Sequence, residues 1–314
     1  MPDSKARPIV EGGLLSAISV VLALVGMYIP YAVLIWPLPI ALLGVRYGVR
    51  YGTMTAVVGA MAIGIMVHVQ QGLFFLLGGG LVGVVLGECL RRKLSAGKVL
   101  TATAAAALLA NVALIGVAAV VMQVDVLQMT NEVQDMAVRM AAEFSQEMGG
   151  DEAQRAQIEA MATELAQMMA MLAPTGLFLY ALFTAVLNVM LVRNVLRRMR
   201  MEVTGFSPFE SWQFPGWVLY LFVLSLVGIY WGGRWLSDTL VMVSSNVNSI
   251  TSLALFIQGV SLLYYVSRHN QIVKRIWWLL VVFSLISPFF NIMMITLGGI
   301  DILMNYRKIR EKQV

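Results

Sequence analysis

The sequence predicts an all-α fold, a polytopic bundle of membrane helices, from three observations. Of its 314 residues, 59% are hydrophobic and 12% are charged, which is about half the charged fraction of roughly 25% in soluble domains. Apolar runs of about 20 residues, the length that crosses a bilayer, recur along the chain. Lys and Arg gather at alternate ends of these runs, as in proteins that span a membrane. A secreted disulfide scaffold and a nucleic-acid-binding domain are excluded, since Cys89 is the single cysteine and the basic residues are explained by topology.

Nine apolar runs follow one another along the chain. They lie at about 9–29, 31–45, 52–69, 72–90, 99–123, 174–195, 216–236, 240–267 and 276–300. The second run is short, and Pro30, Pro37 and Pro39 lie at its start or within it. Because proline removes a backbone donor and kinks the helix before it, we expect a tilted, broken or half-inserted helix here.

Basic residues indicate the sidedness of the spans. If the N-terminus is cytoplasmic, five clusters fall on the cytoplasmic side, and the alternate loops are poor in Lys and Arg. The clusters are Lys5 and Arg7; Arg46 and Arg50; Arg91, Arg92, Lys93 and Lys98; Arg193, Arg197, Arg198 and Arg200; and Arg268, Lys274 and Arg275. The basic C-terminal tail breaks the pattern if 276–300 is one span. We favour two short helices in 276–306, broken at Pro288 or at Gly298-Gly299, with a cytoplasmic tail, over a tail that lies outside.

One segment, 124–173, has the character of a soluble domain. It contains nine acidic and two basic residues, and its apolar residues recur at steps of three and four, the period of an amphipathic helix. Gly149-Gly150 separates two such helices, so we expect an extracytoplasmic helical hairpin. The methionines on its apolar faces include the pairs Met136 with Met140 and Met161 with Met168. They either bind a soft metal such as Cu(I) or, as we favour, fill the core of the hairpin.

These features divide the chain into three parts. Residues 1–200 are expected to form a six-span membrane core, into which the hairpin 124–173 is inserted. Residues 201–215 form a cytoplasmic connector whose prolines and tryptophans are typical of the membrane interface. Residues 216–314 form further membrane helices.

No motif of an enzyme class is present. The sequence has no nucleophile elbow, no phosphate-binding loop and no pair of histidines at metal-ligand spacing. The two histidines, His68 and His269, are expected on opposite sides of the membrane. We therefore expect a protein that is not an enzyme, with no catalytic residue, no metal and no cofactor. An intramembrane enzyme built from scattered polar residues is the less favoured alternative.

Polar residues in membrane spans are costly, which makes them candidates for function. Eight such residues of the core are candidates for substrate binding: Tyr28, Tyr31, His68, Gln70, Gln71, Asn111, Tyr180 and Asn188. The alternative interpretation gives these residues structural roles without a substrate. The two glutamines and His68 then belong to a polar loop at the membrane surface, and the two asparagines bridge neighbouring helices.

Small residues allow helix backbones to approach closely. Two stripes of them stand out: Gly12, Gly13, Ser16 and Ala17 in the first helix, and Gly79, Gly83 and Gly87 in the fourth. We expect the first stripe, at the cytoplasmic end, to dock a partner subunit, and the second to pack the core. Charges at helix ends also predict two ion-pair groups, Glu88 with Arg91 and Arg92, and Asp301 with Arg307.

Two groups of residues carry a family resemblance. The first is Trp36-Pro37-Leu38-Pro39-Ile40-Ala41-Leu42-Leu43-Gly44-Val45-Arg46-Tyr47-Gly48 with Gly52, Gly59, Gly13 and Ala17. It resembles the S components of energy-coupling-factor (ECF) vitamin transporters, in their proline-containing second helix, Arg-aromatic-Gly turn and small-residue first helix. The second is Gly298-Gly299-Ile300-Asp301 followed by Asn305-Tyr306-Arg307. With it the whole chain resembles the YybS-like proteins, an uncharacterised bacterial membrane family related to S components.

The resemblance implies a function and a set of partners. A small molecule or lipid would be captured outside, among the outer ends of the core helices, and a membrane coupling subunit with ATPases would supply the energy. The protein would lie in the bacterial cytoplasmic membrane, in contact with membrane lipids and without nucleic acid. The alternative is a structural or assembly protein of the cell envelope that binds an extracytoplasmic protein through 124–173.

Overall fold

The computed structural model of the protein describes residues 6–122, 132, 135–136, 138–143, 152–201, 205, 208–235, 238–269, 271–304 and 307. All regular structure in these residues is helical, so the predicted all-α class is confirmed. Seven helices in this part of the chain are long and apolar enough to cross a membrane, and a bent helix pair near the C-terminus makes eight if it is one span. The chain is therefore a multi-pass membrane protein.

The chain divides into two compact units. The N-terminal unit contains Met1–Thr163 and Gly176–Phe206, and the C-terminal unit contains Glu164–Thr175 and Ser207–Val314. The short piece 164–175 belongs to the C-terminal unit because Asn246 binds it. The Asn246 side chain accepts hydrogen bonds from Thr175 N (2.9 Å) and Thr175 Oγ1 (2.7 Å) and donates to Met171 O (2.8 Å).

Among the helices whose bounds the described residues give, six lie wholly within the N-terminal unit. They are α1 (Ala6–Tyr28), α2 (Pro37–Tyr47), α3 (Val49–Met66), α4 (Val69–Phe74), α5 (Leu81–Arg91) and α6 (Ala96–Met122). The next two, α7 (Glu152–Met171) and α8 (Ala173–Arg198), each contain a boundary between the units. The second apolar run is broken, as its prolines predict: a 3-10 turn over Pro30–Ile35 precedes the short α2.

The centre of the N-terminal unit is the packing of α2 against the glycine stripe of α5 and the π-helical turn (Phe75–Gly80) that precedes it. A Cβ atom on Gly83 would lie 2.7 Å from Pro37 O, and one on Gly87 would lie 2.8 Å from Ala41 O. Any larger residue at these positions would push the two backbones apart. Large apolar side chains, among them Ile40 of α2, fill the space around this contact and are fully buried.

The C-terminal unit contains α9 (Trp217–Trp235), α10 (Asp238–His269), α11 (Gln271–Ile286) and α12 (Pro288–Met304). The last two helices are bent by 114° at the break before Pro288, which is one of the two break positions that the sequence predicts. The other, Gly298-Gly299, lies inside α12. There the backbones of α10 and α12 touch, because a Cβ on Gly298 would overlap Leu255 O and one on Gly259 would overlap Met294 O.

The segment 124–173 is described only in part. Its second arm is the helix α7, as predicted, whereas Gly149-Gly150 lies outside the described residues. The apolar face of α7 is not covered: Met161, Leu165 and Met168 are each more than half exposed. The expectation that these side chains fill a hairpin core is therefore wrong for this arm.

The approach of α10 and α12 makes a prediction about stability. We expect Gly298→Ala to destabilise the folded protein by about 1–3 kcal/mol, since a methyl group cannot enter a backbone contact without moving a helix. Gly233→Ala is the matched control, because no atom lies within 4 Å of a Cβ there. Thermal unfolding of both variants in detergent tests this, and equal midpoints for the two would contradict the contact.

Candidate functional site

A cavity of about 140 Å³ lies in the N-terminal unit between α2, α6, α8 and the π-helical turn. Gly78 and Gly79 of that turn line the cavity, and Gly79 lies so close to Trp36 that a Cβ there would be 2.9 Å from the Cβ of Trp36. Turns of π-helix inside longer helices occur frequently at functional sites. The site is therefore built by an irregular backbone within an otherwise regular bundle.

Trp36 is held at the wall of the cavity by contacts on two sides. Its Nε1 donates to Leu22 O at 3.3 Å, and its ring packs at 5.4 Å from the ring of Phe75. The residue is 3% exposed and stands directly before Pro37, where α2 begins. The break in the second apolar run thus fixes the position of this aromatic wall.

Two polar atoms of the cavity wall lack hydrogen-bond partners. Among the described residues, Asn111 Nδ2 on α6 and Thr184 Oγ1 on α8 are buried and find no acceptor or donor. A buried polar atom left in this state costs about 1–3 kcal/mol. Such atoms normally bind water or a ligand; here both residues line the cavity, but the two atoms themselves are covered by neighbouring protein, so a ligand reaches them only when a side chain moves.

The wall is otherwise apolar and uncharged. Aliphatic and aromatic side chains form most of it, and none of the described residues that line it is an acid or a base. Tyr180 adds a phenol at the rim, where the residue is 46% exposed. An ion that entered this space would lose its hydration without a countercharge, so the wall favours a neutral occupant.

Three of the eight predicted binding residues gather at this site. Asn111 and Tyr180 line the cavity. Asn188 is fully buried one turn beyond Thr184, where its Nδ2 donates to Leu34 O (2.8 Å) and to Thr184 O (2.9 Å). The bond to Leu34 O connects α8 to the 3-10 turn before α2.

The other five predicted residues are not part of the cavity wall. Tyr28 and Tyr31 are 88% and 80% exposed. His68 is exposed at the residue before α4, and Gln70 and Gln71 are half-buried on that helix. These five residues do not lie together with Asn111 and Tyr180 in the structure.

The spacing of polar residues along α8 marks Thr184 as a further candidate. Tyr180, Thr184 and Asn188 follow one another at steps of four, which places them on one face of a helix. A polar face of this kind inside a membrane span marks the side that turns away from lipid.

The two small-residue stripes differ in what they contact. The glycines at 79, 83 and 87 lie against the 36–44 region, as described above. The stripe of α1 is divided between two faces: Gly12 and Ser16 turn inward, where Ser16 Oγ donates to Thr55 O at 3.3 Å, and Gly13 and Ala17 are exposed.

The expected ion pairs are present. Glu88 pairs with Arg91 at 2.8 Å and with Arg92 at 2.6 Å, on the surface of the N-terminal unit. Asp301 Oδ2 accepts from Arg307 Nη2 at 3.0 Å, and both side chains are almost fully buried in the C-terminal unit. The sequence did not predict a third group, in which Glu11 of α1 pairs with Arg7 and with Arg46 of α2.

Comparison with known proteins identifies the family. The model of a family described as a predicted membrane protein (DUF2232) matches residues 17–302. The chain belongs to this family. It is also 20% identical over 301 residues to the uncharacterized protein YybS of Bacillus subtilis (strain 168), which covers 95% of this chain and 96% of the relative. No solved structure matches the chain.

Asn111 in the cavity wall and Asn188 one turn beyond Thr184 give opposite predictions for stability. We expect Asn188→Leu to destabilise the protein by about 1–3 kcal/mol, because it leaves Leu34 O without its donor. We expect Asn111→Leu to be neutral or stabilising, since it replaces an unpaired buried amide by an apolar group of similar size. Thermal unfolding of the two variants in detergent measures the difference, and an Asn111→Leu variant as unstable as Asn188→Leu would contradict the described cavity.

Proposed function

We propose that the N-terminal unit is a membrane-embedded receptor for a small, uncharged and largely apolar molecule, which binds in the cavity beside Trp36. The observation that carries this proposal is the pair of unpartnered polar atoms, Asn111 Nδ2 and Thr184 Oγ1, in an otherwise apolar wall. Binding sites for small molecules commonly combine an apolar wall with a few placed polar groups.

The geometry supports a narrow class of ligand. A volume of about 140 Å³ suits a single ring or a short chain. Asn111 Nδ2 would donate to a carbonyl or ether oxygen, and Thr184 Oγ1 would either donate or accept. The rings of Trp36 and Phe74 offer flat apolar surfaces, so a planar ligand gains packing on them.

We propose that the receptor takes part in transport of the molecule that it binds. The resemblance to S components supports capture outside the cell, followed by reorientation of the N-terminal unit between two states with different access. No phosphate-binding loop occurs in the sequence, so the proposal requires ATPases and a membrane coupling subunit as partners. The basic clusters support a cytoplasmic N-terminus in a bacterial cytoplasmic membrane.

Copurification tests the receptor. We expect the protein, purified from native membranes in mild detergent, to retain a neutral small molecule in stoichiometric amount, detected by mass spectrometry. Thr184→Val keeps the shape of the side chain and removes its hydroxyl, so we expect retention to fall about ten-fold.

Thr101→Val is the control, because it makes the same change at an exposed position of α6, and we expect it to retain the molecule. An empty wild-type protein would overturn the receptor. Equal retention by the two threonine variants would show that any bound molecule lies elsewhere.

A second function is favoured by a different observation, the exposed apolar face of α7. Met161, Leu165 and Met168 share one face of this helix and are each more than half exposed. Apolar patches of this kind on a polar segment mark sites of protein association. The chain would then act in envelope assembly, with 124–173 binding an extracytoplasmic protein.

Deletion of residues 126–170 separates the two functions. If the hairpin serves assembly, the deletion abolishes the cellular phenotype while the small molecule remains bound. If the receptor is the primary function, the deletion preserves at least half of the phenotype and Thr184→Val abolishes it. Complementation of a null strain, with membrane content of each variant measured by immunoblot, provides the readout.

A further inference from the structure

A buried polar cluster in the C-terminal unit holds the segment that precedes α9. The cluster consists of Gln258 and Ser261 on α10, Asp301 on α12, and Arg307, each of which is at most 5% exposed. The segment is Phe209–Phe214, here called the strap. It begins with a 3-10 turn and is flanked by Pro208 and Pro215.

The cluster binds the main chain of the strap rather than its side chains. Arg307 Nη1 donates to Glu210 O. Ser261 Oγ donates to Phe209 O at 2.6 Å, and Gln258 Oε1 accepts from Phe214 N at 2.9 Å. In peptide recognition, hydrogen bonds to the main chain of the bound segment give affinity.

Asp301 has no hydrogen bond to the strap and acts through its neighbours. Its Oδ2 accepts from Arg307 Nη2 at 3.0 Å and from Gln258 Nε2. It therefore orients two of the three side chains that reach the strap and neutralises the buried guanidinium. Within the described residues, Asp301 Oδ1 and Arg307 Nε are buried without partners, so not every polar atom of the cluster forms a hydrogen bond while the strap is bound.

Side chains of the strap also contact the cluster's surroundings. Phe209 packs against Trp212 and Tyr264, with ring centroids 5.3 Å and 6.0 Å apart. Glu210 pairs with Arg268 at 2.8 Å in an exposed position, and such pairs contribute little. No residue of the strap is fully buried.

The helices beneath the strap have their own packing. Leu255 of α10 and Met294 of α12 are fully buried, and the glycines at 259 and 298 bring the backbones of the two helices together. Proteins open locally where few apolar contacts hold a segment. No residue of the strap is fully buried, whereas the helix pair has fully buried apolar residues at its contact.

We propose that the cluster is a binding site for a polypeptide main chain that begins with a 3-10 turn and carries aromatic side chains, and that the strap occupies it reversibly. The strap leaves as a unit while α10 and α12 stay packed. Its departure adds roughly 20 Å of extended chain to the link between the two units. This function of the C-terminal unit is independent of the receptor proposed for the cavity.

Limited proteolysis of the full chain in mild detergent tests the proposal. Chymotrypsin cuts after aromatic residues, and the strap offers Phe209, Trp212 and Phe214. Asp301→Asn keeps the size of the side chain and removes the charge that orients Arg307. We expect cleavage in the strap to become about ten-fold faster, while cleavage after Tyr264 and Tyr265 of α10 keeps its wild-type rate.

Glu88→Gln is the matched control, because it makes the same chemical change in an exposed ion pair of the other unit. We expect it to leave strap cleavage within two-fold of wild type. Ser261→Ala provides a second test without any change of charge, since it removes the donor to Phe209 O. We expect it to accelerate strap cleavage about three-fold or more.

Two results would overturn the proposal. If neither Asp301→Asn nor Ser261→Ala accelerates cleavage in the strap, the cluster does not hold it. If Ser261→Ala accelerates cleavage in the strap and after Tyr264 and Tyr265 together, the helices open with the strap. The cluster would then be a part of the fold and not a site that releases its occupant.

Discussion

The contact of α2 with the glycines of α5 determines the arrangement of the N-terminal unit. Lipid tails are as apolar as leucine, so membrane helices associate through close van der Waals packing and hydrogen bonds rather than through exclusion of water. The glycines at 83 and 87 let the backbones meet at Pro37 and Ala41. This close approach positions α2 among its neighbours and fixes Trp36, the residue that precedes α2. The cavity lies between this tryptophan and its neighbours, and the π-helical turn contributes Gly78 and Gly79 to its wall.

The two units use buried polar groups differently. In the N-terminal unit, the amide of Asn111 and the hydroxyl of Thr184 face a cavity and have no protein partner among the described residues. In the C-terminal unit, three side chains of the buried cluster form hydrogen bonds with the main chain of a neighbouring segment. Polar groups in a membrane span are expensive in both cases. The first arrangement leaves capacity for an external molecule, and the second connects parts of the same chain.

Composition and charge predicted the class of fold, because a membrane span is defined by its length and hydrophobicity, which are properties of consecutive residues. The prolines predicted the break at α2 and the one before Pro288 for the same local reason. The cavity was predicted only in part. Asn111 and Tyr180 lie on helices distant in sequence, and their meeting depends on packing that a single sequence does not specify. The π-helical turn was not predicted, since Phe75–Gly80 differs from an α-helix in hydrogen bonding and not in composition.

The hydrogen bonds of Asn246 have a mechanical consequence. The amide of Asn246 forms hydrogen bonds with residues on both sides of the junction between α7 and α8, namely Met171 and Thr175. A force that acts on the C-terminal end of α7 is therefore carried to α10 by the side chain of Asn246, in addition to the backbone that continues into α8.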